Sequence, residues 1–160
     1  MISFREFKKE VLDELEDTPS AVAVLKGSAA YPSIRGEVRL FETTEGIVVV
    51  ADVKGLPMQA ECGGVFGFHI HEGAGCGGDD FAETLGHYNP KNCPHPYHAG
   101  DLPPLFSNQR EAWMAVWTDR FTLQEIIGRT AVLHLRPDDF MTQPSGNSGM
   151  KIACGVIRKE

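Results

Sequence analysis

The sequence predicts an all-β domain: an antiparallel sandwich or barrel of about eight short strands, with long loops and a short α-helix in front. Three observations carry this expectation. From residue 19 onward the chain breaks into runs of roughly five to nine residues rich in Val, Ile and aromatics. Turn-forming residues separate the runs, and no long helical pattern lies between them. All six histidines fall between His69 and His134, on two of those runs and one loop.

A chain of 160 residues is expected to form one domain and to bury a substantial core. Its 42% hydrophobic and 23% charged content is ordinary for a globular protein. The formal net charge of −7 argues against nucleic acid or an anionic membrane as partner. No apolar run approaches the ~20 residues a helix needs to span a bilayer. The opening "MISFREFKKEVLDELEDT" is too charged for a secretory leader, so the expected location is the cytoplasm.

Residues 1–18 place Phe4, Phe7, Val11, Leu12 and Leu15 among charged residues at helical spacing. This amphipathic helix is expected to pack on the domain body or on a partner subunit, and "DTPS" ends it. Residues 19–160 form the β domain. Its strands are read from "AVAVLKG", "IRGEVRLFE", "GIVVVADVKG", "VFGFHIH", "AWMAVWT", "RTAVLHL" and "MKIACGVI", with turns at "TTEG", "KGLP" and "TDRF". In "EAWMAVWT" both faces are apolar, Trp113 and Trp117 on one, Met114 and Val116 on the other. Such a strand is either buried twice or covers a subunit contact. Residues 72–110 and 136–149 read as two loops, and long loops in a compact domain are usually functional.

Those loops and the strand "GFHIH" hold the chemistry. Strand alternation puts His69 and His71 on one face, roughly 7 Å apart, and Phe68 and Ile70 on the other. Neutral imidazole is the commonest metal ligand and suits both copper and zinc. In "HPYHAGD", His95, His98 and Asp101 recur every third residue and can converge on one cation. With a further imidazole they would make a closed tetrahedral site, the geometry of structural zinc. The four cysteines, Cys62, Cys76, Cys93 and Cys154, contain no Cys-x-x-Cys pair. Spacing alone leaves open three full pairings or four free thiols.

Taken together, "GFHIHEGAGC", "HYNP", "HAGDLPPL", "IIGRTAVLH", "PDD" and "GNSGMKIACGVI" resemble the signatures of the copper/zinc superoxide dismutases. The match runs in order from Ala21 to Ile157. The resemblance implies a Greek-key β-sandwich or flattened barrel, with copper and zinc ions as cofactors and superoxide as substrate. It puts copper on His69, His71, His87 and His134, and zinc on His87, His95, His98 and Asp101, with His87 bridging the two. Asp138 matches an outer aspartate that ties a copper histidine to a zinc histidine. Cys76 and Cys154 match the intrasubunit disulfide of the family. The implied reaction is copper redox cycling that turns superoxide into dioxygen and hydrogen peroxide, with His87 handing a proton to the departing peroxide. A homodimer and a copper chaperone are open as protein partners.

Three departures from the family pattern stand out. Lys151 occupies the position where the family usually has an arginine beside copper; it keeps the charge but loses the planar fork. Only Pro96 and Tyr97 separate His95 from His98, and the 136–149 loop is also short. "MQAECGGVFGFHIH" adds residues, including Cys62, and the shortened loop contains Cys93; a second disulfide, Cys62–Cys93, would clamp that loop. The leading expectation is a superoxide dismutase in which His87 and Lys151 act at the reaction. The alternative is a copper-binding or metal-storage protein on the same scaffold with little dismutase activity; a purely structural domain would not need all six histidines.

Overall fold

Apolar residues that alternate with polar ones dictate the inward face of each strand. The computed structural model describes residues 18–160, together with residues 3, 5, 6, 9, 10 and 13. The apolar stripe on which the 1–18 helix rests lies outside the described residues. In β1 (Ala21–Gly27), Ala21, Ala23 and Leu25 are buried and Val24 is exposed. In β2 (Arg35–Glu42), Val38 and Leu40 turn inward, and in β3 (Ile47–Lys54) Ile47, Val49, Ala51 and Val53 do so. The remaining strands are β4 (Gly64–Phe66), β5 (Phe68–His71), β6 (Leu105–Asn108), β7 (Glu111–Thr118), β8 (Thr130–His134) and β9 (Lys151–Lys159).

All nine pair antiparallel in one sheet of order β4-β6-β7-β3-β2-β1-β9-β8-β5. The two edge strands, β4 and β5, are consecutive in the chain and joined by Gly67 alone. The sheet must therefore curl until its edges meet, and the result is a nearly closed barrel. Gly67 sits at that seam: its N–H donates to Arg136 O at 2.7 Å, and His134 N donates to its carbonyl at 2.8 Å. The core fills the barrel with Leu25, Leu40, Phe66, Phe68, Ile70, Leu105, Leu133 and Ile152, among others.

Four details differ from the sequence expectation. "VFGFHIH" is two strands rather than one, because the chain changes edge at Gly67. The 72–110 loop contains β6, whose Leu105 and Ser107 face inward while Phe106 is exposed; four residues of alternation are too few to stand out. A one-turn helix, α1 (Leu123–Ile126), follows β7, with Thr122 N donating to Glu125 Oε2 at 2.7 Å in a capping box. Strand β7 is not buried on both faces, since Trp117 on its outer face is 51% exposed.

Candidate metal centre

Phe68 and Ile70 point into the barrel, so His69 and His71 must point out of it. They are nonetheless only 0% and 2% exposed, because the two loops fold over the outside of β5. The outer edge of β5 has no neighbouring strand in its sheet, and the long loop takes that place. Ile70 N donates to Gly100 O at 2.9 Å, and Tyr88 N donates to Ile70 O at 2.8 Å. Bridges pair His71 with His87 and His69 with Asp101. A Cβ at Gly100 would overlap Ile70 O, so this close approach requires glycine. Across β5's other edge, His134 enters from β8, where a register irregularity between Leu133 and His134 re-aims the side chain.

Two groups of ligand atoms result, each lying within 4.8 Å of one another. One comprises His69, His71, His87 and His134; the other comprises His87, His95, His98 and Asp101. His87 belongs to both.

Hydrogen bonds fix which nitrogen is free on four of the six rings. An ionised carboxylate or a carbonyl only accepts, so the ring nitrogen facing it carries the proton. His69 Nε2 donates to Asp138 Oδ2 at 2.7 Å, and His95 Nε2 donates to Asp138 Oδ1 at 2.9 Å. Asp138 thus joins one ring of each group. His71 Nδ1 donates to Leu85 O at 2.9 Å and His134 Nδ1 to Gly149 O at 3.2 Å, which leaves their Nε2 atoms facing each other 3.1 Å apart. His87 Nδ1 lies 2.7 Å from Asp101 Oδ1. Buried His69 Nδ1, His87 Nε2 and His95 Nδ1 have no hydrogen-bond partner. His95 Nδ1 lies 3.0 Å from Asp101 Oδ2, but not in hydrogen-bond geometry. Unpartnered buried nitrogens are costly, and His69 Nδ1 in one group and His95 Nδ1 in the other are lone pairs that a bound cation would satisfy.

The electrostatics favour neutral rings. Burial pushes His69 down to about 4 and His134 down to about 3, and it also lowers His71 and His98. Burial alone would raise Asp101 and Asp138, but hydrogen bonds from His87 to the first, and from His69 and His95 to the second, outweigh it. Both carboxyls end below the usual range. At neutral pH His69, His71, His98 and His134 are therefore neutral bases, and Asp101 and Asp138 are anionic. The four-imidazole group fits copper, and the three-imidazole, one-carboxylate group fits zinc.

The centre opens on a cavity of about 470 Å³ lined by His71, His87, His134, Gly149 and Lys151. Lys151 Nζ donates to Thr84 Oγ1 at 2.7 Å, Leu85 O at 3.2 Å and Phe81 O at 3.4 Å. Burial lowers its pKa. A Cys76–Cys154 disulfide with Cα atoms 5.8 Å apart ties the segment carrying Thr84 and Leu85 to β9. The expected Cys62–Cys93 bond is not formed, and both thiols are free. Cys62 is exposed on the turn before β4, while Cys93 is held in the metal loop by Asn89, which bonds its N–H and C=O at 2.9 and 2.8 Å.

The structure brings together every histidine singled out by sequence, with Asp101 and Asp138. Sequence reading missed the carbonyls of Leu85 and Gly149, because any residue supplies a carbonyl. It also missed Gln143, whose side chain bonds the main chain of His95, and Arg120, whose guanidinium bonds the Asp101 carbonyl; both lie in turn-like stretches with no motif of their own. No helix among the described residues is long and apolar enough to cross a membrane.

The chain is similar to several known proteins. The family model for copper/zinc superoxide dismutase matches residues 34–157. Superoxide dismutase [Cu-Zn] 2 of Aquifex aeolicus is 35% identical over 153 residues, covering 84% of this chain and 87% of the relative. The superoxide dismutase-like protein YojM of Bacillus subtilis is 34% identical over 111 residues, covering 59% of this chain and 56% of the relative. A crystal structure of a double mutant of a SOD-like protein from Bacillus subtilis superposes with a TM-score of 0.72 at 30% identity, over 84% of this chain and 95% of that one.

Proposed function

The chain belongs to the copper/zinc superoxide dismutase family, and on that premise we propose that it disproportionates superoxide, two superoxide ions and two protons giving dioxygen and hydrogen peroxide. The observation that carries this reading is His87, shared by two groups of ligand atoms and left with an unpartnered buried Nε2.

In this reading His69, His71, His87 and His134 hold copper, and His87, His95, His98 and Asp101 hold zinc. Copper supplies the one-electron redox change, and zinc, which is redox-inert, supplies a fixed charge. His71 and His134 are held with Nε2 inward by the Leu85 and Gly149 carbonyls. Asp138 orients His69 and His95 at once, so one carboxylate sets a ring that would hold copper and a ring that would hold zinc. His87 faces Asp101 through Nδ1, which leaves Nε2 as the atom able to hold a proton and pass it to the leaving peroxide. The Lys151 ammonium supplies positive charge in the lining of a cavity in a protein of net charge −7, which draws an anion inward. Lys151→Ala should lower the rate roughly tenfold at low ionic strength and less at high salt.

One observation favours a second reading. The three N–H donors of Lys151 all have protein acceptors, so fewer are free for superoxide than a five-donor arginine would offer. A copper-binding protein with little dismutase activity would have the same centre. Superoxide consumption by the metal-reconstituted chain separates the two. The enzyme reading expects a rate well above metal-free protein that His134→Ala removes; full copper loading with no rate above that background overturns it.

A further inference from the structure

Two residues separate His95 from His98 and two more separate His98 from Asp101, so a short stretch must turn three zinc-type ligands toward one point. Within that stretch Tyr97 N donates to Pro94 O at 2.8 Å and Asp101 N to His98 O at 3.2 Å. His98 N donates to Asp101 Oδ2 at 3.0 Å, and Gly100 pairs with Tyr88 O and Ile70 N, which leaves the main chain of His95 and the carbonyls of Pro96, His98 and Asp101 to find partners elsewhere. Two side chains far away in sequence supply them.

Gln143, in the 136–149 loop, meets the main chain of His95 as a neighbouring strand would. Its Oε1 accepts from His95 N at 2.9 Å, and its Nε2 donates to His95 O at 2.7 Å. The same loop holds the ring of this residue through Asp138. His95 is therefore fixed at backbone and side chain by one segment 43 to 48 residues away in sequence. A second support is Arg120, just after β7. Its Nη1 lies 3.2, 3.4 and 3.5 Å from the carbonyl oxygens of Asp101, His98 and Pro96. Two of those carbonyls belong to the zinc-type ligands themselves. Neither Gln143 nor Arg120 belongs to either group of ligand atoms.

We propose that Gln143 and Arg120 are positioning residues that hold the main chain of His95, His98 and Asp101, so that a shortened loop still presents a preorganised zinc site. This inference rests on the zinc assignment given above. A loop fixed at both flanks loses little freedom on binding the ion, and outer partners of this kind typically change metal affinity by 10–100-fold. The two supports also differ in kind. Gln143 donates and accepts, so Gln143→Glu keeps the bond from His95 N but loses the one to His95 O, and it should restore affinity only partly relative to Gln143→Ala.

The test is Co(II) titration of the zinc-free chain carrying one equivalent of Cu(I), read by affinity and by the ligand-field absorption of four-coordinate cobalt. Gln143→Ala is expected to weaken Co(II) binding roughly tenfold and to alter the absorption band. Arg120→Met should weaken it independently and serves as the test if the first variant fails to fold. Unaltered affinity and unaltered spectrum in folded Gln143→Ala or folded Arg120→Met overturn the proposal. His98→Ala separates this failure from that of the zinc assignment. If the parent chain binds Co(II) no better than His98→Ala, there is no zinc site at these residues, and the positioning role falls with it.

Discussion

The two halves of the metal centre are built differently. The copper half stands on the barrel: His69 and His71 lie on β5 and His134 on β8, strands paired residue by residue from Phe68–Leu133 to His71–Thr130. The zinc half stands on a loop, and its His95, His98 and Asp101 depend on Gly100, Gln143 and Arg120 for their placement. A strand delivers side chains to one face every second residue without further help. A loop does so only when its backbone groups are tied to something rigid. The difference makes the zinc half the more easily perturbed of the two.

His87→Ala should have the largest effect, because that ring is the only one common to both halves. Superoxide consumption should fall to the metal-free background and zinc binding should weaken; full zinc retention would place His87 in the copper half alone. Asp138→Ala comes next. Its carboxylate bonds one ring in each half, so copper and zinc affinity should both drop, by about 10–100-fold, in a metal-competition assay. A loss confined to zinc would mean that β5 holds His69 without Asp138. Gly146→Ala is smaller and one-sided. A Cβ there would overlap Asp138 Oδ1 and stand 2.7 Å from His95 Nε2, and the residue has φ 67. Zinc affinity should fall more than copper affinity, and equal losses would contradict the unequal construction of the halves.

Acid provides the mildest perturbation. His69, His71, His98 and His134 are held below the ordinary histidine value of 6.5, so the unfolded chain binds more protons than the folded one once pH drops below that value. The metal-free protein should lose thermal stability as pH falls from 6.5 toward about 3, the value for His134. The depressed carboxyls of Asp101 and Asp138 act in the same direction through the lower part of that range. A melting temperature that is flat or rises with acid would contradict burial of these rings as neutral bases.

Much of this was legible in the sequence, for reasons that follow the same division. Strands of seven to nine residues, such as β1, β3 and β9, announce themselves by alternation and branched side chains. The His69–His71 pair is read directly from a period of two. What escaped is short or supplied from afar. β6 and α1 span only four residues each, and the split at Gly67 depends on barrel closure rather than local pattern. Gln143 and Arg120 act through backbone atoms of distant residues, which leaves no signature in their neighbours. The free thiols of Cys62 and Cys93 teach the same lesson, since counting cysteines does not say which ones the fold brings together.

The shared imidazole of His87 is the point on which the whole centre turns, and the Cu(II) electron paramagnetic resonance spectrum of the one-copper chain tests it most directly. Adding one equivalent of zinc should shift that spectrum in the parent chain and leave it unmoved in His87→Ala. A parent spectrum that does not change while zinc is bound would show two independent sites, and would contradict a centre joined through His87.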